Sequence, residues 1–323
     1  MVTGGCGYIG SHTVWALHDR GDQIVVVDDL STGIRENLPP DVSLCVTDVG
    51  DHDRVGQVIR MHKPDAIIHF AGKILPAESL ASPLRYFDVN TAKSIALLQS
   101  AIAGDVRFFI FSSTAAVYAP SSGPVVTEQS PTAPLTPYGR SKLMVEDVLR
   151  ATTAAHSFSA TALRYFNVAG VDPDRRCGPA GENPGHLIRT AVEVATGKRE
   201  KLGIFGDDYG TPDGTCVRDY IHVSDLAAAH IVALDALAGG APCEFSVLNC
   251  GYGKGASVLE VIAAFERVLD RKLPHATVER RAGDAPALVA DATLLRALGW
   301  TPHHDALEDI IISALGWAGA SPH

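Results

Sequence analysis

The segment Thr3-Gly4-Gly5-Cys6-Gly7-Tyr8-Ile9-Gly10 restricts the fold of this chain more than any other stretch. Glycines 4, 7 and 10 stand between a short apolar start and a helix predicted over residues 11–20. There they permit a tight turn, close approach of backbone to a phosphate, and close packing of helix on strand. The helix N-terminus offers free N–H groups and a favourable dipole to a pyrophosphate. Asp28 follows the apolar run 23–27, eighteen residues after Gly10. A carboxylate there accepts hydrogen bonds from adenosine ribose hydroxyls and repels a 2′-phosphate, which favours NAD over NADP. Only Met1, Val2 and Thr3 precede the turn, whereas a buried strand has about five or six residues. The expectation is that the biological start lies several apolar residues upstream.

Beyond the turn, short β-branched runs alternate with helical stretches, the pattern of a parallel sheet wrapped by helices. Residues 23–27, 65–70, 106–111 and 161–166 read as buried strands, and 11–20, 82–103 and 138–154 as helices. Gly21 falls where a helix-closing glycine is expected. From about Asn167 the character changes, with Pro/Gly-dense stretches at 172–185 and 206–214 and later helices at 224–237 and 257–269. At 323 residues the chain can bury a substantial core. A net charge of −10 argues against nucleic acid as a partner. No run of about 18 apolar residues and no basic–apolar leader stands in it, so no membrane span is expected. The six cysteines form no C-x-x-C pair and no metal-ligand spacing. Free thiols in a reducing cytoplasm are expected, with no metal.

The chemistry points to Tyr138-Gly139-Arg140-Ser141-Lys142. A phenol and an ammonium four residues apart on a helix share one face. Ser112 and Thr114 end a predicted strand, and in an open α/β sheet the ligand crevice lies beyond such strand ends. A free phenol has a pKa near 10, too high for a base at neutral pH. One positive charge about 7 Å away, at an effective dielectric of about 20, favours the phenolate by roughly 2.4 kcal/mol. Lys142 and an oxidised nicotinamide together are therefore expected to bring Tyr138 near neutrality, as a general acid–base requires.

Several further motifs accompany these residues. They are His69-Phe70-Ala71-Gly72, residues 141–146 (Ser-Lys-Leu-Met-Val-Glu), Leu163-Arg164-Tyr165-Phe166-Asn167, residues 205–209, residues 213–223 and residues 280–284. With them, nearly the whole chain resembles the extended short-chain dehydrogenase/reductase family and, within it, the UDP-glucose (UDP-galactose) 4-epimerases. The stretch Asp213-Gly214-Thr215-Cys216-Val217-Arg218-Asp219-Tyr220-Ile221-His222-Val223 is the narrowest part of the likeness.

The resemblance implies a doubly wound, Rossmann-like α/β fold with a smaller C-terminal α/β substrate domain. An NAD-binding domain is expected over 1–167 and a nucleotide-sugar-binding domain over 168–323, with 215–238 returning to the first. It implies that Tyr138 takes the proton of the sugar 4-hydroxyl, that Thr114 hydrogen-bonds the reacting oxygen, and that Lys142 holds the nicotinamide ribose. Cofactor contacts are implied for Gly4, Gly7, Tyr8, Ile9, Gly10, Asp28, Asp48, Val49, Phe70, Ala71, Gly72, Lys73, Asn90, Ser112 and Tyr165, beside Tyr138 and Lys142. Nucleotide-sugar contacts are implied for Asn167, His186, Leu187, Gly203, Phe205, Arg218, Tyr220, Val258, Arg281, Asp284 and Leu288, beside Thr114 and Tyr138. Arg218 and Arg281 suit a diphosphate, because a guanidinium fork fits phosphate geometry. A homodimer through helices 82–103 and 138–154 is also implied.

The chain departs from the family pattern at several points. Thr114 stands where many relatives have Ser, Lys73 falls one place early, and His186 replaces a common asparagine. Arg189 stands where a proline is common. Leu288, of intermediate bulk, faces the C2 substituent of the sugar by resemblance, which leaves N-acetylated sugars open; a preference for a UDP-pentose is a further alternative. Two other classes compete. A nucleotide-sugar 4,6-dehydratase needs an acid after the hydroxyl residue, where this chain has Ala115 and Ala116. A non-catalytic NAD-binding regulator would tolerate loss of Tyr138 or Lys142, and both are present.

Overall fold

The computed structural model describes residues 1–120, 123–180, 186–240, 244–281 and 284–319. Residues 181–185 of the Pro/Gly-rich stretch, Cys243, and Ala282 and Gly283 of the 280–284 motif lie outside them. Strand β1 (Val2–Thr3) leads into helix α1 (Tyr8–Arg20), followed by β2 (Val25–Asp28), β3 (Ser43–Val46), α2 (His52–His62) and β4 (Ala66–His69). Next come α3 (Pro76–Ala81), α4 (Pro83–Tyr86), a π-helical turn (Phe87–Ala92), α5 (Lys93–Ala103) and β5 (Phe108–Thr114). The chain continues through β6 (Val125–Val126), α6 (Pro137–Ala155), β7 (Ser159–Tyr165), β8 (Asn167–Ala169), α7 (Leu187–Ala195) and β9 (Leu202–Phe205). It proceeds through β10 (Val217–His222), α8 (Val223–Gly239), β11 (Phe245–Cys250), β12 (Gly255–Ser257) and α9 (Val258–Leu269). Strands β13 (His275–Val278) and β14 (Ala287–Ala290) and helices α10 (Thr293–Ala297) and α11 (Leu307–Trp317) follow.

Seven strands form one parallel sheet in the order β11-β7-β5-β4-β1-β2-β3. Such a sheet is covered on both faces, so its strands read as continuous apolar runs rather than alternating ones. Val25, Val26 and Val27 on β2 and Phe109, Ile110 and Phe111 on β5 are all buried. Each such side chain contributes about 1.5–3 kcal/mol by leaving water. The strand order reverses between β1 and β4, which opens a crevice beyond the carboxyl ends of those strands.

Helix α1 begins at Tyr8, three residues before the predicted start, with Gly7 as its N-cap and no side chain capping it. Its end matches expectation: Gly21 adopts φ 87° and its N–H bonds back to the last turn. The predicted helix over 82–103 is interrupted by the π turn, a device common at functional sites.

A smaller sheet runs β12-β10-β14-β6, with β8 on β10, and β13 pairs separately with β9. The two halves interleave more than the boundaries read from sequence suggest. β6, from the first half, pairs with β14 of the second. The return to the large sheet extends past 215–238, because α8 packs on α1 and β11 pairs with β7 through Cys250. Among the described residues, no helix is long and apolar enough to cross a membrane.

Glycines 10 and 21 serve different needs. A Cβ on Gly10 would stand 2.2 Å from the Gly4 carbonyl oxygen, whereas one on Gly21 would meet nothing within 4 Å. Gly10→Ala should therefore cost about 3 kcal/mol through overpacking. Gly21→Ala should cost about 1 kcal/mol through its left-handed backbone alone. Urea unfolding of the two variants checks this; equal losses would show that crowding is not what Gly10 relieves.

Candidate active site

A cleft of about 1280 Å³ follows the carboxyl ends of the large sheet. Gly4, Gly7, Tyr8, Ile9 and Gly10 line it from the first turn, and Asp28, Asp48 and Val49 from the next two strand ends. Phe70, Ala71, Gly72 and Lys73 line it after β4, and Ser112, Thr114, Tyr138, Lys142, Tyr165 and His186 complete the predicted residues found there.

The first turn fits a dinucleotide. A Cβ on Gly4 would lie 2.5 Å from the Ala71 nitrogen, so only glycine lets these two backbones meet. Among the described residues, no side chain caps the opening amides of α1, which leaves donors for an anion. Asp28 is held at the cleft wall: Cys6 N donates to Oδ2 at 2.9 Å and Leu30 N to Oδ1 at 2.8 Å. Burial nonetheless raises its carboxyl above the usual range, and the two backbone donors oppose that rise.

Tyr138 sits in the first turn of α6, where the Thr136 side chain caps Gly139 N and Pro137 opens the helix. Thr114 ends β5, and its hydroxyl is near enough to the Tyr138 phenol to favour the phenolate. Thr114 Oγ1 accepts from Ala116 N at 3.1 Å. One turn further along α6, Lys142 Nζ donates to the Ser112 carbonyl at 2.9 Å and lies 4.9 Å from the Phe111 ring centre.

The expected acidic phenol is not what the protein alone creates. Burial raises the Tyr138 phenol above its ordinary value, and the Thr114 hydroxyl only partly offsets this. Burial also lowers Lys142 to about 8, so the two groups move toward neutrality rather than toward an ion pair.

Other side chains surround this pair. The Tyr86 ring stands edge-on to Tyr138, 6.3 Å between centres, and its hydroxyl donates to Glu78 Oε2 at 2.9 Å. Tyr165 OH lies 3.2 Å from His230 Nε2, and the nearby Ser112 hydroxyl opposes the rise that burial gives its phenol. His230 Nδ1 donates to the Leu226 carbonyl at 2.8 Å, and burial lowers the ring to about 4, so Nε2 is left to accept. Sequence reasoning singled out neither Tyr86 nor His230. Each lies inside a helix with no motif, and only tertiary packing brings them here.

Asn90 stands behind the cleft wall, next to Gly72. It lies in the π turn, buried, and does not line the cleft. Its Oδ1 accepts from Lys73 N at 2.7 Å, while Nδ2 donates to Lys73 O and Ser141 Oγ, each at 3.0 Å. The amide is spent on fixing the loop after β4.

The remaining predicted substrate residues also lie outside this cleft. They gather on the smaller sheet and the β9–β13 pair. Asn167 is the register partner of Tyr220, and Arg218 that of Leu288. Arg218 Nη2 lies 3.5 Å from Asp284, and the Arg281 guanidinium stacks 3.6 Å over Phe205. Gly203 lies on β9, and Val258 and Leu187 open helices α9 and α7. Leu288 packs on the cluster containing Ala115, next to Thr114, which joins the two groups. At the N-cap of α7, burial lowers His186 to about 4, and the Val168 carbonyl beside it opposes that fall.

The shift at Lys142 has a thermodynamic consequence. The folded state releases this proton at about 8 rather than 10.5. Between those values the unfolded chain binds the extra proton, so stability rises with pH. At neutral pH the buried charge costs about 3 kcal/mol. In nucleotide-free protein, Lys142→Met should therefore be the more stable form at neutral pH, its advantage shrinking toward about pH 9.5 in urea titrations. A variant less stable at neutral pH, or an advantage independent of pH, would contradict the burial argument.

Comparisons with known proteins show the family. Residues 1–251 match the NAD dependent epimerase/dehydratase family. The chain is 50% identical to the UDP-glucose 4-epimerase of Azospirillum brasilense over 98% of its own length and 91% of that protein. It is similar to the crystal structure of UDP-glucose-4-epimerase from Stenotrophomonas maltophila with bound NAD and formylated UDP-arabinopyranose. That match has a TM-score of 0.93 and 38% identity over 98% of this chain and 96% of that one. The UDP-Glc/GlcNAc 4-epimerase of Campylobacter jejuni matches with a TM-score of 0.85 and 44% identity over 98% of each chain. The chain belongs to the NAD dependent epimerase/dehydratase family, alongside its UDP-glucose 4-epimerases.

Proposed function

We propose that this protein interconverts UDP-glucose and UDP-galactose by inverting C4 through a transient 4-keto sugar, with NAD as a tightly held cofactor. The observation that carries the reading is that Thr114, Tyr138 and Lys142 line one cleft, with Lys142 one helical turn from Tyr138 and held by the Ser112 carbonyl. The first glycine turn and the uncapped start of α1 receive the pyrophosphate, and Asp28 receives the adenosine ribose. When bound, NAD supplies the acceptor and then the donor of hydride at the sugar carbon. Tyr138 takes the proton of the 4-hydroxyl and returns it to the same oxygen after the sugar turns over. Thr114 holds that oxygen. Lys142, charged below about pH 8, favours the phenolate when Tyr138 gives up its proton.

The nucleotide end of the substrate is assigned to Phe205, Arg218, Tyr220, Arg281 and Asp284, with Asn167, His186 and Leu187 nearer the cleft. Arg218 and Arg281 are the diphosphate partners, exchanging Asp284 and the Phe205 face for phosphate oxygens. The large sheet with α8 and β11 thus serves the cofactor, and the smaller sheet serves the sugar nucleotide. A homodimer through α4–α5 and α6 is part of the same reading. It is supported by Leu84, 82% exposed, and by Met144, 41% exposed. A reducing cytoplasm suits the free thiols of Cys6, Cys45, Cys177, Cys216 and Cys250.

Tyr138→Phe removes the proton-transfer hydroxyl with little change of shape. Turnover of UDP-glucose should fall about 100-fold or more while NAD stays bound. Turnover near the parent rate would take the base role from Tyr138. Asp28→Ala should weaken NAD binding and relax discrimination against NADP, measured as the ratio of the two dissociation constants. An unchanged ratio would remove Asp28 from the ribose site.

A further inference from the structure

A buried polar cluster lies under the proton-transfer site. Arg164 of β7 and Glu146 of α6 form a two-pronged ion pair: Nη2 donates to Oε2 at 2.6 Å and Nε to Oε1 at 3.0 Å. Ser113 Oγ donates to the same Oε1. The two charged side chains are 4% and 0% exposed, and neither lines the cleft. The guanidinium lies 4.9 Å from the Tyr118 ring centre, and Tyr118 OH donates to Asn249 Oδ1 at 2.6 Å. Asn249 Nδ2 then donates to the carbonyls of Val126 and Asp291, at 2.9 and 3.2 Å, which carries the connection to β6 and the end of β14.

Every core member of this cluster adjoins a residue of the site. Glu146 is one helical turn beyond Lys142 and about two beyond Tyr138. Ser113 precedes Thr114 and is the register partner of Arg164, which precedes Tyr165. The motifs 141–146 and 163–167 contain both charged residues, yet proton transfer uses neither.

Stability is a weak reason for such a pair. Desolvation offsets its attraction, and apolar residues of similar volume are often as stable or more so. The other buried residues on this face of α6 include Val145 and Leu149, whose apolar packing has no preferred direction. A guanidinium–carboxylate fork is directional. An error of about 1 Å in a catalytic group can cost about 100-fold in rate.

We propose that Glu146 and Arg164 are positioning residues that fix the axial register of α6 on β5 and β7. They thereby bring the Tyr138 phenol to Thr114 and the Lys142 ammonium to the Ser112 carbonyl. The proposal rests on the proton-transfer reading above. It is tested with Glu146→Gln, which removes the charge at constant shape, and with the double variant Glu146→Met/Arg164→Met, which replaces the pair by apolar side chains. Both are assayed as the NAD-loaded holoenzyme, with rates divided by bound NAD and melting temperatures recorded.

The expected result is a loss of about tenfold or more in kcat per loaded site in both variants. KM for UDP-glucose should stay within about twofold, because the binding groups lie elsewhere. If Glu146→Gln does not fold, the double variant decides alone. A double variant whose kcat per loaded site stays near the parent value, whatever its melting temperature, overturns the proposal, as does one in which kcat and KM change together. A Tyr138→Phe control separates the two layers. If that control is fully active, the underlying reading fails; if it is inactive while the double variant turns over normally, only the positioning role fails.

Discussion

The ammonium of Lys142 is buried against the Ser112 carbonyl and the face of Phe111, and the rest of the site is arranged around that charge. Burial makes the charge costly, which is why it titrates at about 8 instead of 10.5. The same burial raises Tyr138. Low polarity thus keeps the phenol protonated at rest, but it also strengthens any charge later placed beside it. A site built this way gives up folding stability for an electrostatic environment that water would screen, the trade expected where residues are tuned for proton transfer.

The fold supplies this environment by interleaving its two sheets. β5 and β7 deliver Thr114 and Tyr165 to the floor of the cleft, while β8 continues directly from β7 into the smaller sheet. The loop after β5 sends β6 across to β14, and β11 comes back to close the large sheet. The two sheets are therefore joined by several chain crossings rather than by one linker. The Glu146–Arg164 pair sits where these connections converge.

Much of the site was legible because its signals are local. The spacing of Gly4, Gly7 and Gly10 reports a backbone requirement at one turn, and Asp28 follows at the end of the next strand. Tyr138 and Lys142 share a helical face by periodicity alone. What was not legible depends on distant contacts. The pairing of β6 with β14 and of β11 with β7 joins segments far apart in the chain. The π turn that aims Asn90 at Lys73 leaves no sequence signature. The upward shift that burial alone gives Tyr138 was not legible for the same reason. Charge separation can be estimated from helical spacing, but desolvation is known only once the surrounding protein is placed.

The central claim is that the sugar carbon is oxidised and reduced inside the closed site, so that only the oxygen-bound proton passes through Tyr138. Converting UDP-glucose to UDP-galactose in D₂O and reading C4 of the product by NMR tests it most directly. The account predicts that C4 keeps its original hydrogen with no deuterium through many turnovers. Deuterium at C4 would mean that a carbon-bound proton exchanges with solvent, and the oxidation–reduction account would be wrong.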